Sequence, residues 1–171
     1  MRRELMLAVM IGAAALGGCT RKQAPGNASD LAAGNGAGDT YAENGEDPAL
    51  ARLQADLAAN AGDRVFFTFD AYALSPDARA TLTRQAQWLR QHPRVGFLVE
   101  GHADERGTRE YNLALGDRRA RAAADFLAVQ GIAPARITTI SYGKERPEAL
   151  GSDEASHAQN RRAVSVVIQL P

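Results

Sequence analysis

The chain has 171 residues, of which 45% are hydrophobic and 23% are charged. This length has room for one domain of ordinary size with additional tails, and the apolar content is sufficient for a buried core. Twenty Lys and Arg residues balance twenty Asp and Glu residues, so the formal net charge is zero. This balance argues against a nucleic-acid partner held by a broad basic surface.

The first 18 residues have the pattern of a cleaved export signal. Arg2 and Arg3 precede an apolar run from Leu5 to Leu16, and small residues follow that run. The run is about twelve residues long, whereas a transmembrane helix needs about 20. The pattern therefore favours a signal peptide over a retained membrane helix.

The single cysteine, Cys19, ends the sequence Leu16-Gly17-Gly18-Cys19. It is either a free thiol within the signal or the acylated first residue of a mature lipoprotein. The small residues before it suit a peptidase that cuts immediately ahead of the cysteine, so we predict lipidation there. Two or more acyl chains anchor a protein stably to a membrane. By similarity to lipoprotein sorting signals, Thr20 in place of an aspartate favours the periplasmic face of the outer membrane.

Residues 20–47 are rich in Gly, Ala, Asn and Asp and contain almost no large apolar side chain. Such a segment buries too little surface to offset its chain entropy, which predicts a disordered tether. Its root-mean-square span would be roughly 30 Å. The predicted organisation is a signal at 1–18, a lipidated N-terminus with tether and short helix at 19–62, and a folded domain at 63–171.

Capping residues predict where three helices start. Asp47 and Ser75 are each followed by proline, which is typical of an N-cap with proline in the first turn. The first starts a short amphipathic helix whose packing the sequence leaves open, and the second starts a helix that ends at His92. Thr108 predicts the cap of a long helix to Gln130. Apolar residues at helical spacing define one face of the second helix: Ala78, Leu82, Ala86 and Leu89.

Four β-rich apolar runs predict strands: Val65–Phe69, Val95–Val99, Ile137–Tyr142 and Arg162–Leu170. No full helix can be identified between the last two of them. Strands that otherwise alternate with helices predict an α/β fold. We therefore expect a mixed four-stranded sheet covered by helices.

The stretch Gly101–Ala120, GHADERGTREYNLALGDRRA, runs from the end of a predicted strand through a polar loop into a helix. Asp104 follows the strand and Arg119 lies on the helix, so the two can face each other across a shallow groove without forming a salt bridge. This arrangement suits a ligand that carries both charges. The simpler alternative is a solvated surface ion pair, which contributes less than about 1 kcal/mol.

This stretch, together with Ser141–Pro147 (SYGKERP) and Asn160–Arg162 (NRR), resembles the signature of the OmpA-like peptidoglycan-binding domain family. The resemblance covers residues 63–170. It implies an OmpA-like fold and non-covalent binding of the peptide stem of peptidoglycan at its meso-diaminopimelate residue.

With a lipid anchor, the resemblance implies an outer-membrane lipoprotein that tethers this membrane to the cell wall. The partners it implies are TolB and other components of the Tol-Pal system, which supports envelope integrity and cell division. The alternative is a protein-interaction module of another envelope machine. The polar loops Glu105–Arg109 and Lys144–Pro147 would then be its contact surfaces.

The free end of diaminopimelate carries an ammonium and a carboxylate, so its site needs an acid and a base a few ångströms apart. By resemblance, Asp104 takes the ammonium and Arg119 takes the carboxylate, for which the planar guanidinium is suited. Five further residues match family positions around the groove: Asp70, Thr108, Leu115, Asn160 and Arg161. Of these, Asn160 and Arg161 either contact the ligand or brace the loop.

Other residues of the motif are expected to be structural, Tyr111 among them. We expect Asn112 to bond the loop backbone and His102 to hold the loop by hydrogen bonds. Gly101 and Gly107 are interpreted as turn glycines. Gly116 weakens its helix relative to alanine, which indicates close packing against a neighbour.

A zinc hydrolase of peptidoglycan is the rival class, with His102, Asp104 and His157 as its conceivable ligands. Neither H-E-x-x-H nor H-x-x-E-H spacing occurs, the three histidines are scattered, and the one cysteine is assigned to lipid. No nucleophile lies beside a base in the sequence. We therefore predict a binding protein without catalytic activity, metal or cofactor.

Overall fold

The computed structural model describes residues 47–170. Its elements, in chain order, are α1 (Pro48–Asn60), β1 (Arg64–Phe66), α2 (Pro76–Gln91), β2 (Val95–His102), α3 (Arg109–Val129), β3 (Ile137–Gly143), α4 (Glu154–Asn160) and β4 (Arg162–Gln169). The predicted export signal, the lipidation of Cys19 and nearly all of the predicted tether lie outside the described residues. None of the helices between residues 47 and 170 is long and apolar enough to span a bilayer.

The four strands form one mixed sheet in the order β1-β4-β2-β3, which confirms the predicted arrangement. β2 and β3 are parallel, and α3 provides the crossover that parallel neighbours require. β4 lies between β1 and β2 and is antiparallel to both. The C-terminal end of β2 therefore lies beside the start of α3, where the charged motif is found.

The predicted helix starts are confirmed by their caps. The side chains of Asp47, Ser75 and Thr108 each accept a hydrogen bond from a backbone N–H in the first turn of α1, α2 and α3, respectively. α3 ends at Val129, one residue before the predicted end. The predicted apolar face of α2 is buried along its whole length: Ala78, Leu82, Ala86 and Leu89.

α1 packs against the core, a point that the sequence left open. Leu57 is fully buried, and Leu50 and Leu53 pack at the edge of the same apolar cluster. On the polar side, the indole N–H of Trp88 in α2 donates to the Asp56 carboxylate at 2.7 Å. The packed unit therefore includes α1 as well as the sheet.

Two strands differ in length from the prediction. β1 ends at Phe66, since the chain leaves the sheet after the Phe67 N–H bonds the Arg161 carbonyl at 2.8 Å. Phe69, predicted to lie in this strand, is 60% exposed. β2 continues to His102 because its backbone is paired with β3 on one side and, as far as Gly101, with β4 on the other.

A short helix, α4, was missed by the sequence analysis. It has seven residues, and the Asp153 side chain caps it by accepting from the Ser156 N–H. Its two buried residues, His157 and Asn160, are both polar. No apolar periodicity therefore marks this helix in the sequence.

Two glycines set how closely α3 approaches the sheet. A Cβ at Gly101 would lie 1.9 Å from the carbonyl oxygen of Gly116, and a Cβ at Gly116 would lie 2.3 Å from the Ser141 hydroxyl. The close packing expected for Gly116 is confirmed. The interpretation of Gly101 as a turn residue is wrong, because Gly101 lies within β2 and makes room for the helix. This contact brings Arg119, three residues further along α3, to the end of β2.

The edge of β4 beyond the short β1 is closed by a side chain. Gln54 of α1 donates from Nε2 to the Ser165 carbonyl at 3.2 Å and accepts from the Val167 N–H at 2.7 Å. Its amide thus takes the place of a neighbouring strand. We expect Gln54→Ala to leave two backbone groups unpaired and to lower the free energy of unfolding by about 1–3 kcal/mol.

Urea unfolding measures this loss. Gln87→Ala is the control because it makes the same chemical change at an exposed position on α2. Equal stability of the two variants would show that the Gln54 amide does not support the edge of β4.

Candidate functional site

A cavity of about 200 Å³ opens between the loop after β1, the loop after β2 and the N-terminal half of α3. Four predicted site residues line it: Asp70, Asp104, Leu115 and Arg119. Five further residues complete its wall: Phe69, Arg106, Gly107, Tyr111 and Asn112. The cavity therefore brings together an acid and a base that the sequence separates by a strand-loop-helix turn.

Asp104 forms the acidic end of the cavity and is only 5% exposed. Its Oδ1 accepts from the Arg106 N–H at 3.2 Å. Its Oδ2 accepts from Arg106 Nη2 at 2.5 Å and from Arg161 Nη1 at 3.3 Å. The carboxylate is thus held by two arginines, neither of which is Arg119, and it is not a solvated surface group.

Arg119 forms the basic end and is fully buried. Its guanidinium donates to the carbonyls of Ala71 at 2.8 Å, His102 at 2.7 Å and Thr68 at 3.3 Å. A guanidinium has five N–H groups, so one on Nη1 and one on Nη2 have no hydrogen bond to residues 47–170. Burial lowers the pKa of Arg119 to about 10, so the side chain stays charged at neutral pH.

Asp70 lies at the rim of the cavity in an uncommon backbone conformation. Its φ of +53° is in the left-handed region, which non-glycine residues seldom adopt. The Tyr111 hydroxyl, on the first turn of α3, donates to the Asp70 carboxylate. This hydrogen bond favours the protonated phenol and raises the pKa of Tyr111. The contact ties the loop after β1 to α3 across the cavity mouth.

Three predicted site residues lie outside the cavity wall and support it. Thr108 caps α3. Asn160 accepts from the N–H groups of Glu148 and Ala149 and donates to the Ala149 carbonyl at 2.7 Å, so it braces the loop before α4. Arg161 is 6% exposed and pairs with Asp104 from behind. Their direct contact with a ligand stays a prediction.

The other two nitrogen atoms of the Arg161 guanidinium also contact the protein. Its Nε donates to the Phe67 carbonyl at 3.0 Å, and its Nη2 lies 2.8 Å from a carboxylate oxygen of Glu154. The N-R-R segment therefore connects the acidic end of the cavity with the end of β1 and with α4.

Asn112 and Lys144 hold the loop that carries Asp104. As expected, Asn112 bonds the loop backbone, donating from Nδ2 to the Arg106 carbonyl at 2.9 Å. Lys144 Nζ donates to the carbonyls of Glu105 at 3.1 Å and Gly107 at 2.7 Å. The loop is therefore fixed from both sides although it belongs to neither strand nor helix.

The predicted role of His102 in this loop is wrong. Neither ring nitrogen makes a hydrogen bond to residues 47–170, although the side chain is buried. The ring packs beside that of Tyr142 at 5.7 Å between centroids, and Nε2 lies 3.5 Å from the Glu100 carboxylate. The contribution of His102 to the site comes from its backbone carbonyl, which accepts from Arg119.

Sequence reasoning did not assign Phe69, Arg106, Gly107 or Tyr111 to the cavity. Gly107 was interpreted as a turn glycine, and its φ of +94° is in the region that favours glycine. Nothing in the sequence shows that the Arg106 side chain turns back onto Asp104 or that Phe69 leaves the sheet. As for the rival zinc site, no group of three His, Cys, Asp or Glu residues within 47–170 is arranged to hold a metal.

The acid dependence of stability should report the ion pairs of Asp104. Burial of this carboxyl raises its pKa, but hydrogen bonds from Arg106 and Arg161 outweigh burial, so the pKa lies below the ordinary value of 3.8. A group whose folded-state pKa is lowered stabilises the fold above its ordinary pKa, and this contribution is lost as the pH falls through the folded-state value.

We therefore expect Asp104→Asn to lower the melting temperature at neutral pH, and we expect the difference from wild type to shrink below about pH 4. Thermal unfolding followed by circular dichroism across this range measures the effect. The exposed Asp125→Asn is the control. A difference that does not vary with pH would mean that the charge of Asp104 contributes nothing to stability.

Comparison with known proteins places this fold and cavity in a family. The sequence model of the OmpA family matches residues 66–161. A peptidoglycan-associated lipoprotein of Mesorhizobium japonicum is 50% identical over 166 residues, which cover 97% of this chain and 92% of that protein. One from Pseudomonas aeruginosa is 42% identical over 159 residues, covering 92% of this chain and 89% of its own length.

Solved structures agree. The crystal structure of the peptidoglycan-associated lipoprotein from Burkholderia pseudomallei superposes with a TM-score of 0.60 at 48% identity, covering 62% of this chain and 90% of that chain. The periplasmic domain of MotB, residues 64–256, has a TM-score of 0.56 at 23% identity and covers 63% of this chain and 59% of that one, so it shares the fold. The chain belongs to the OmpA family and groups there with the peptidoglycan-associated lipoproteins.

Proposed function

We propose that this protein is an outer-membrane lipoprotein that binds the diaminopimelate stem peptide of peptidoglycan without covalent chemistry and so tethers the outer membrane to the cell wall. One observation carries the proposal. Asp104 and Arg119, opposite in charge and almost completely buried, line the same small cavity and are not paired with each other. The names of the lipoprotein relatives support the same ligand.

The chemistry of the two ends matches a zwitterion. The ligand ammonium pairs with Asp104, and the ligand carboxylate accepts from the two N–H groups of Arg119 that have no hydrogen bond to residues 47–170. Two parallel bonds from one guanidinium favour a carboxylate over other acceptors. A cavity of about 200 Å³ is smaller than a pocket for a drug-sized molecule, so it takes the end of one side chain rather than a whole disaccharide.

The other wall residues complete the fit. Leu115 gives an apolar surface for the methylene groups of the ligand side chain, and Asp70, held by Tyr111, closes the cavity from the opposite loop. Thr108, Asn160 and Arg161 act through the residues they support.

The proposed attachment has three parts along the chain. Residues 1–18 are removed as a signal peptide, Cys19 carries the acyl chains, and residues 20–47 are the tether. The domain that binds the wall is then free to reach it from the periplasmic face of the outer membrane. A membrane anchor at one end and a cavity for the wall at the other are sufficient for the proposed link.

A second proposed role is the binding of TolB and other Tol-Pal components. The loop segments Glu105–Arg109 and Lys144–Pro147 are joined by the Arg109–Glu145 ion pair at 3.3 Å and by Lys144, so they form one continuous polar surface at the cavity. A partner bound there would cover the cavity. We expect TolB and peptidoglycan to compete, and co-sedimentation with peptidoglycan that saturating TolB leaves unchanged would contradict this expectation.

A test of whether the cavity binds a zwitterion should change the ligand rather than Arg119. Arg119 holds three backbone carbonyls, so its substitution would disturb the fold as well as the site. We expect isothermal titration to show saturable binding of a diaminopimelate-containing muropeptide. The lysine-containing analogue lacks the terminal carboxylate and should bind at least about tenfold more weakly, since a hydrogen bond to a charged group contributes about 1.5–3 kcal/mol.

At the other end of the cavity, Asp104→Ala should weaken binding by about ten- to a hundredfold for the same reason. Asp125→Ala removes an exposed carboxylate from α3 and is the matched control, which should bind as wild type does. Equal affinity of wild type for the two muropeptides would rule out recognition of the carboxylate by Arg119.

A further inference from the structure

Arg106 differs from the other arginines at the cavity because it is both exposed and bound to the site's acid. Its side chain is 38% exposed, whereas that of Arg161 is 7% exposed. Its Nη2 lies 2.5 Å from Asp104 Oδ2, and its guanidinium lies over the Phe69 ring at 4.2 Å from the centroid. A partly exposed side chain of the protein therefore occupies the end of the cavity at the Asp104 carboxylate.

This guanidinium competes with any cation that approaches Asp104 from the cavity. A carboxylate offers about four acceptor positions, and Arg106 takes two of those on Asp104 through its backbone and side chain while Arg161 takes a third. Asp104 itself is only 5% exposed. An ammonium that reached it with Arg106 in place would also lie against a positive charge, and this repulsion is strong at short range in a partly buried site.

The structure also contains a second carboxylate that can pair with Arg106 once Arg106 leaves Asp104. Glu154, at the start of α4, has a side chain that is 66% exposed, and its Oε2 lies 3.5 Å from Arg106 Nη1. The other oxygen of the same carboxylate is 2.8 Å from Arg161. A small movement of Arg106 toward Glu154 would keep its charge paired. Arg161, bonded to the Phe67 carbonyl, would stay on Asp104 throughout.

We propose that Arg106 is an internal competitor that occupies the ammonium position of the free cavity and moves to Glu154 when the ligand binds. The inference rests on the proposed function of this cavity. Exchange of one cation for another at Asp104 gains less free energy than binding to an unpaired carboxylate would. A ligand that also bonds Arg119 through a carboxylate gains the additional interaction that drives the exchange, whereas a simple amine does not. Arg106 thereby weakens the binding of every ligand ammonium, and the carboxylate contact with Arg119 decides which ligand still binds.

The test compares Arg106→Gln with wild type by isothermal titration with the diaminopimelate muropeptide and its lysine analogue. Removal of the competitor should tighten binding of both ligands by about the same factor, roughly tenfold, and leave the preference between them unchanged, because that preference comes from the carboxylate contact with Arg119. Arg121→Gln is the matched control, because it removes an exposed positive charge of α3 that pairs with Asp117 and not with Asp104. It should leave both the affinities and their ratio unchanged.

A second experiment tests whether Arg106 moves to Glu154 when the ligand binds. Glu154→Gln should weaken binding in the wild-type background and have a smaller effect in the Arg106→Gln background, and the difference between the two isolates the exchange. Circular dichroism checks that each variant is folded. Equal effects of Glu154→Gln in both backgrounds would remove Glu154 from the proposal.

The outcomes separate this inference from the proposed function. Suppose that wild type binds the muropeptide and Arg106→Gln binds it equally or more weakly. This result would contradict the displacement of Arg106 and would leave the proposed binding of a zwitterion unaffected. Binding by Arg106→Gln alone would support a strong internal competitor. Binding by neither protein would overturn the proposed function and the displacement with it.

Discussion

The buried guanidinium of Arg119 is the contact on which both the local fold and the site depend. A buried charge is costly unless it is hydrogen-bonded, and Arg119 is stabilised by three backbone carbonyls, two from the loop after β1 and one from the end of β2. The same bonds hold these two segments against α3. The basic end of the cavity is therefore part of the framework, and its position is possible only because Gly101 and Gly116 let the helix lie close to the sheet.

The acidic end is built in a different way. Asp104 lies in a loop, and its position is set by ion pairs with Arg106 and Arg161 rather than by regular secondary structure. Asn112 and Lys144 fix the backbone of that loop without touching the carboxylate. One end of the cavity is thus rigid, while the other has a fixed backbone with exchangeable side-chain partners. This difference lets charge neutrality be maintained in the free protein and in a ligand complex.

The elements of this fold that depend on residues close together in the sequence could be predicted from the sequence. The caps at Asp47, Ser75 and Thr108 and the apolar face of α2 depend on residues within one or two turns, and they were placed correctly. The position of Asp104 and Arg119 at one groove could be predicted because the motif around them is long and specific. The length of β1, the helix α4 and the unbonded ring of His102 could not be predicted, since each depends on partners far away in the sequence.

The two buried charges stay apart because each already has other partners. A direct bond between Asp104 and Arg119 would close the cavity and leave no recognition site. Arg119 is instead directed toward the carbonyls around it, and Asp104 is neutralised by two arginines on its own side. A zwitterion can then meet both charges at once, whereas a ligand with one charge leaves the opposite end without a partner, which is costly in a buried site. The proposed selectivity for a zwitterion therefore rests on the same hydrogen bonds that keep the cavity open.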